Sequence, residues 1–66
     1  MKKFCADIEW WRESFSGHDY RDGNQQVRVL AINLKSAERK VRRICDRDTK
    51  GWSQSRWYKL REIFEE

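Results

Sequence analysis

Residues 26–44 read QVRVLAINLKSAERKVRRI, and the change of period inside this stretch decides the fold. Val27, Val29 and Ala31 alternate with Arg28, Leu30 and Ile32, the period-2 pattern of a strand. Beyond Leu34, the apolar residues Ala37, Val41, Ile44 and Cys45 recur at helical spacing. Asn33 or Ser36 supplies the cap between the two elements, and Glu38 falls in the first turn, where the helix dipole favours negative charge. The spacing predicts a helix over about residues 36–49, ended by Thr49-Lys50-Gly51, with Gly51 able to turn left-handed after the last turn. The inward face of the strand continues through Leu34 and Ala37 into this helix.

Working outward, Phe4, Ala6, Ile8 and Trp10 alternate with Cys5, Asp7, Glu9 and Trp11, which reads as a half-buried strand. The two strands form a hairpin over about residues 3–34. Asp22-Gly23 is a strong turn pair; the alternatives are that Ser16-Gly17 makes the turn, or that the pair marks a bulge. In the tail, over about residues 55–65, Trp57, Leu60 and Phe64 fit a helix capped by Ser53 or Ser55, whereas Tyr58, Leu60 and Phe64 among charged neighbours fit a strand. The aromatic content favours the strand. The expected architecture is one α+β domain over residues 1–66: a three-stranded antiparallel sheet, β-β-α-β along the chain, with one basic helix on one face. One helix covers one side of a small sheet, so Leu30 and Ile32, with Trp11 or Trp10, fall on the other side. There they are covered by the hairpin loop or the tail, or they form a homodimer or partner interface.

A chain of 66 residues has room for a single core, and the four Trp, three Phe and two Tyr argue for folding despite 39% charged residues. No apolar run is long enough to span a membrane and none of signal-peptide type follows Met1-Lys2-Lys3, so a cytoplasmic location and no membrane partner are expected. Cys5 and Cys45, with His18 the sole histidine, are too few for a structural zinc site; in a reducing compartment free buried thiols are the better reading than a disulfide.

The net charge of +4 is local. Residues 1–34 balance, and so do residues 51–66. Between them Lys35, Arg39, Lys40, Arg42, Arg43, Arg47 and Lys50 face only Glu38, Asp46 and Asp48. Arg39, Arg43 and Arg47 stand at i, i+4, where like charges repel instead of bridging. This ridge is the candidate surface for nucleic acid or an acidic partner, carried by Arg39, Lys40, Arg42, Arg43, Arg47 and Lys50. Trp52 and Trp57 are candidate stacking residues for unpaired bases, although a chain this short needs most of its tryptophans inside. Catalysis has little to stand on. His18 beside Asp19 lacks a placed nucleophile, Asp7 and Glu9 on one strand face lack a third ligand, and Gly17 and Gly23 do not form a phosphate-binding loop. No enzymatic activity, cofactor, metal or small-molecule substrate is expected.

The order hairpin, then VRVLAINLKSAERKVRRI as a strand running into a helix, then a closing aromatic strand, resembles small phage-encoded proteins, among them some anti-CRISPR inhibitors. The likeness is one of layout and size over about residues 20–64 and includes no diagnostic motif. It implies a non-enzymatic inhibitor or accessory factor, acting in the host cytoplasm, that docks on a nucleoprotein complex through a charged face. The alternative is a protein-interaction or homodimeric module that uses Leu30, Ile32 and a tryptophan, with the arginines only solvated.

Overall fold

A computed structural model of the chain describes residues 1–50 and 56–66, with Lys50 placed by its backbone alone. It contains β1 (Lys2–Arg12), β2 (Tyr20–Ala31), α1 (Leu34–Lys50) and β3 (Arg56–Glu65). The strands form one antiparallel sheet in the order β2-β1-β3, so β1 is central. β2 and β3, each antiparallel to β1, run parallel to one another. The chain must therefore recross the sheet between them, and α1 makes that crossing. Among the described residues α1 is the sole second layer, and the molecule is a plate of 44 × 19 × 14 Å. No described helix is long and apolar enough to cross a membrane.

The alternation in β1 and the helical spacing in α1 meet in the core. Ala6, Ile8 and Trp10 pack with Val27, Val41 and Cys45, while Phe4, Ala31 and Ala37 form a second cluster, and Val29 and Ile63 lie against both. Ile8 and Val41 are fully buried, and each such side chain contributes about 1.5–3 kcal/mol.

The helix starts earlier than its apolar spacing suggests. Asn33 Oδ1 accepts the Ser36 N–H at 2.9 Å and the Asn33 carbonyl accepts the Ala37 N–H at 3.0 Å, so Asn33 is the cap and Ser36 lies inside the first turn. Glu38 falls beyond that turn and pairs instead with Arg42, one turn on, at 3.2 Å. Leu34, at the start of α1, is 50% exposed rather than buried with the core. Asn33→Ala is expected to lower stability by about 1 kcal/mol in urea denaturation, whereas Ser36→Ala shifts it by only a few tenths. The helix end expected at Gly51 and the caps at Ser53 and Ser55 lie outside the described residues.

In the hairpin the turn forms at Ser14–Gly17, where the Gly17 N–H donates to the Ser14 carbonyl at 3.2 Å and Gly17 takes φ 84°. Asp22-Gly23 marks a bulge: Trp10 pairs with Gly23 and Trp11 with Arg21, leaving Asp22 as the extra residue, and Gly23 has φ 137°. The bulge has an electrostatic use. Arg12 and Arg56 are directly opposite across β1 and β3, a repulsive pairing, and Asp22 Oδ2 sits 2.9 Å from Arg12 Nε and 3.7 Å from Arg56 Nε.

The tail is a strand, with its own irregularity. Ile8 pairs with Leu60 but Asp7 with Glu62, so Arg61 is an inserted residue. The insertion shifts the alternation: Ile63 joins Tyr58 and Leu60 against the core, and Phe64 turns to the open face, 41% exposed. Cys5 and Cys45 are both free and buried. Cys45 belongs to the core beneath α1, while Cys5 alternates with the core residues of β1 and faces the opposite side, so the sheet separates the two thiols.

Candidate nucleic-acid interface

The placement of the arginines follows from helical geometry. Ala37, Val41 and Cys45 form one buried row at four-residue spacing, and Arg39, Arg43 and Arg47 form a second row displaced by two residues, or about 200° around the helix. Burying the first row forces the second into solvent. Arg39, Arg43 and Arg47 are exposed, and Lys35, four residues before Arg39, continues the row. These four cations extend over about 18 Å of helix.

Their charge is uncompensated among the described residues. Lys2, Arg12, Arg28, Arg56 and Arg61, all on the sheet, pair with Glu65, Asp22, Glu66, Asp22 and Glu9. In α1 the described ion pair is Arg42–Glu38, and none involves Lys35, Arg39, Arg43 or Arg47. Arg39, Arg42, Arg43 and Arg47, with Asp46, line a shallow groove of about 510 Å³ on the outer side of the helix. Asp46 is engaged elsewhere, since its Oδ1 accepts the Tyr58 hydroxyl at 3.1 Å.

Two members of the expected site are differently placed. Lys40 is half-buried and its Nζ donates to the Leu30 carbonyl, which ties α1 to the end of β2. Arg42 leans towards β3, where the Tyr58 hydroxyl and then Glu38 raise its guanidinium further above its ordinary range. Burial raises the Tyr58 hydroxyl, partly opposed by Arg42. The Lys50 side chain and Trp52 lie outside the described residues.

The remaining candidates separate into two groups. Trp57 stands opposite Trp11 across β3 and β1, with ring centroids 5.3 Å apart and planes 7° apart. Leu30 pairs with Lys3 at the other end of the sheet, about 27 Å along β1 from Trp11. Leu30 and Ile32 are 51% and 70% exposed and are joined at the β2–α1 corner by Leu34, so Trp11 is not part of that patch. The stacking of Trp11 on Trp57 and the neighbouring cations Arg21 and Lys59 were not foreseen from the sequence. The alternation put Trp11 on the open face, but its partner depends on the two bulges. His18 is exposed in the hairpin loop. Asp7 accepts from Gln26 at 3.3 Å and Glu9 from Trp11 at 2.7 Å, so both carboxylates serve the sheet surface.

Burial raises the Cys45 thiol from 9.0 to about 11, with Asp48 and Asp46 adding to the effect. A thiol whose folded pKa is raised stabilises the fold fully below its unfolded pKa. That contribution is lost as pH rises from 9.0 towards 11. Urea midpoints measured between those values should fall with pH in the native chain and fall less steeply in Cys45→Ala.

No protein-family model, curated protein or solved structure matches the chain.

Proposed function

We propose that the chain works by binding, without catalysing a reaction, and that the cationic row on the outer side of α1 contacts the phosphates of nucleic acid. The observation that carries this reading is that Lys35, Arg39, Arg43 and Arg47 form one row with no ion pair among the described residues, whereas five of the sheet cations, Lys2, Arg12, Arg28, Arg56 and Arg61, are paired. A row of uncompensated cations at four-residue spacing gains by releasing the counterions of a phosphate backbone. The order of elements read from the sequence resembles that of small phage-encoded inhibitors, some of them anti-CRISPR proteins, which favours a cytoplasmic nucleoprotein complex of the host as the setting.

A second reading is favoured by the exposure of Leu30, Ile32 and Leu34, which makes a homodimer or protein contact at the β2–α1 corner. The two are separated by charge reversal on each surface. Leu30→Lys/Ile32→Lys should leave nucleic-acid binding intact under the first reading and break self-association or partner capture under the second. Sedimentation and fluorescence anisotropy on the same samples measure both. Arginine reversals that retained full binding would overturn the first reading.

A further inference from the structure

Trp10 and Trp11 are adjacent in sequence and opposite in environment. Trp10 is 3% exposed, with Tyr58 5.7 Å from its ring and the Arg56 guanidinium 4.0 Å above it. That environment is core. Trp11 points to the face that α1 leaves open, where it stacks on Trp57 and both rings are half-buried.

The polar edges of this pair are already tied. Trp11 Nε1 donates to Glu9 at 2.7 Å and Trp57 Nε1 donates to Asp19 at 3.0 Å, which fixes the ring planes. Lys59 Nζ lies 5.8 Å and 5.7 Å from the two ring centroids. Arg21, opposite Trp11 on β2, is exposed and has no ion-pair partner among the described residues. A pre-set aromatic pair thus has a cation on either side.

We infer that this end of the open face stacks an unpaired nucleobase on the Trp11 and Trp57 indoles, with Arg21 and Lys59 on its flanking phosphates, so the preferred ligand is single-stranded nucleic acid. The inference rests on the reading of α1 as a phosphate-binding row. Bases inside a duplex are stacked on each other and do not reach an aromatic surface, whereas every unpaired base offers a π-face. The route between the surfaces is short. The Tyr58–Asp46 bond joins the far end of α1 to β3 beside Trp57, and the plate is 14 Å in its thinnest dimension. A single strand can follow the arginine row and turn over the β3 edge; a duplex is too stiff to do so.

The test is fluorescence anisotropy of the full chain with a labelled oligothymidine and with a duplex of equal length, over a range of salt. The expected result is tighter binding of the single strand, a loss of about 5- to 150-fold for that ligand in Trp11→Ala or Trp57→Ala, and little change for duplex. Arg21→Ala and Lys59→Ala lie at exposed positions and do not depend on the sheet tolerating loss of an indole. Each should reduce the single-strand salt slope by about 0.7. If single strand and duplex bind equally and none of the four variants differs from wild type, while reversal of the α1 arginines abolishes both, the aromatic site is overturned and the α1 reading stands. If the α1 reversal has no effect but the tryptophan variants lose single-strand binding, the α1 reading fails and the aromatic site stands. Absence of binding to either ligand overturns both.

Discussion

Reversing Arg39, Arg43 and Arg47 together to Glu weakens nucleic-acid binding by about 100-fold or more at low salt and leaves the far-ultraviolet circular dichroism unchanged. The three side chains are exposed and make no ion pair among the described residues, so their replacement breaks no ion pair within the described fold. Repulsion between positions 39 and 43 and between 43 and 47 keeps its size, while that between Lys35 and position 39 becomes an attraction. The main structural cost falls at Arg47, in the C-terminal part of α1, where the helix dipole disfavours an acid by about 0.3–1 kcal/mol. A folded triple variant that binds as tightly as wild type would remove the basis of the functional proposal.

The second large effect concerns neighbouring tryptophans. Trp10→Ala is expected to cost about 3–5 kcal/mol, because it empties a buried position that holds β1, β2, β3 and α1 together. A domain of this size has a total stability of about 3–5 kcal/mol, so the variant should be largely unfolded at room temperature. Trp11→Ala removes a half-buried ring and one cross-strand stack, a loss of about 1–2 kcal/mol, and should still fold. Thermal melts of the two variants side by side check this. Comparable melting temperatures would mean that the sheet does not divide these residues into core and open face as described.

The contrast shows what was legible in the sequence. Strict alternation from Phe4 to Trp11 assigned the faces of β1, and the shift from period 2 to helical spacing after Ala31 assigned β2 and α1. Because burial of Ala37, Val41 and Cys45 dictates what lies on the far side of the helix, the arginine row was legible as well. Details that depend on one inserted residue were not. Alternation groups Phe64 with Leu60, but the insertion of Arg61 moves it to the open face and puts Ile63 in its place. Asp22-Gly23 has the composition of a hairpin turn as well as of a bulge, and only the pairing register selects the bulge, which sets Asp22 against two opposed arginines.

The helix start illustrates a different limit. Asn33 and Ser36 are both good caps by residue type, and only the backbone path out of β2 selects between them. Alternation alone leaves Trp11 or Trp10 beside Leu30 and Ile32, because it separates two faces, while position along the sheet requires the pairing register. The same register brings Trp57, singled out for stacking, onto Trp11. Arg21 and Lys59 gave no signal of their own, since an isolated exposed cation looks like any solvated residue.

The most direct test of the central claim is the salt dependence of nucleic-acid affinity, measured for wild type and for the Arg39→Glu/Arg43→Glu/Arg47→Glu variant. With three or four phosphates engaged by the α1 row, the logarithm of duplex affinity should fall with the logarithm of salt at a slope of about −3, and the variant should show a slope near zero. A wild-type slope near zero, or the same steep slope in both proteins, would contradict the account and return the arginine row to the role of a solvated surface.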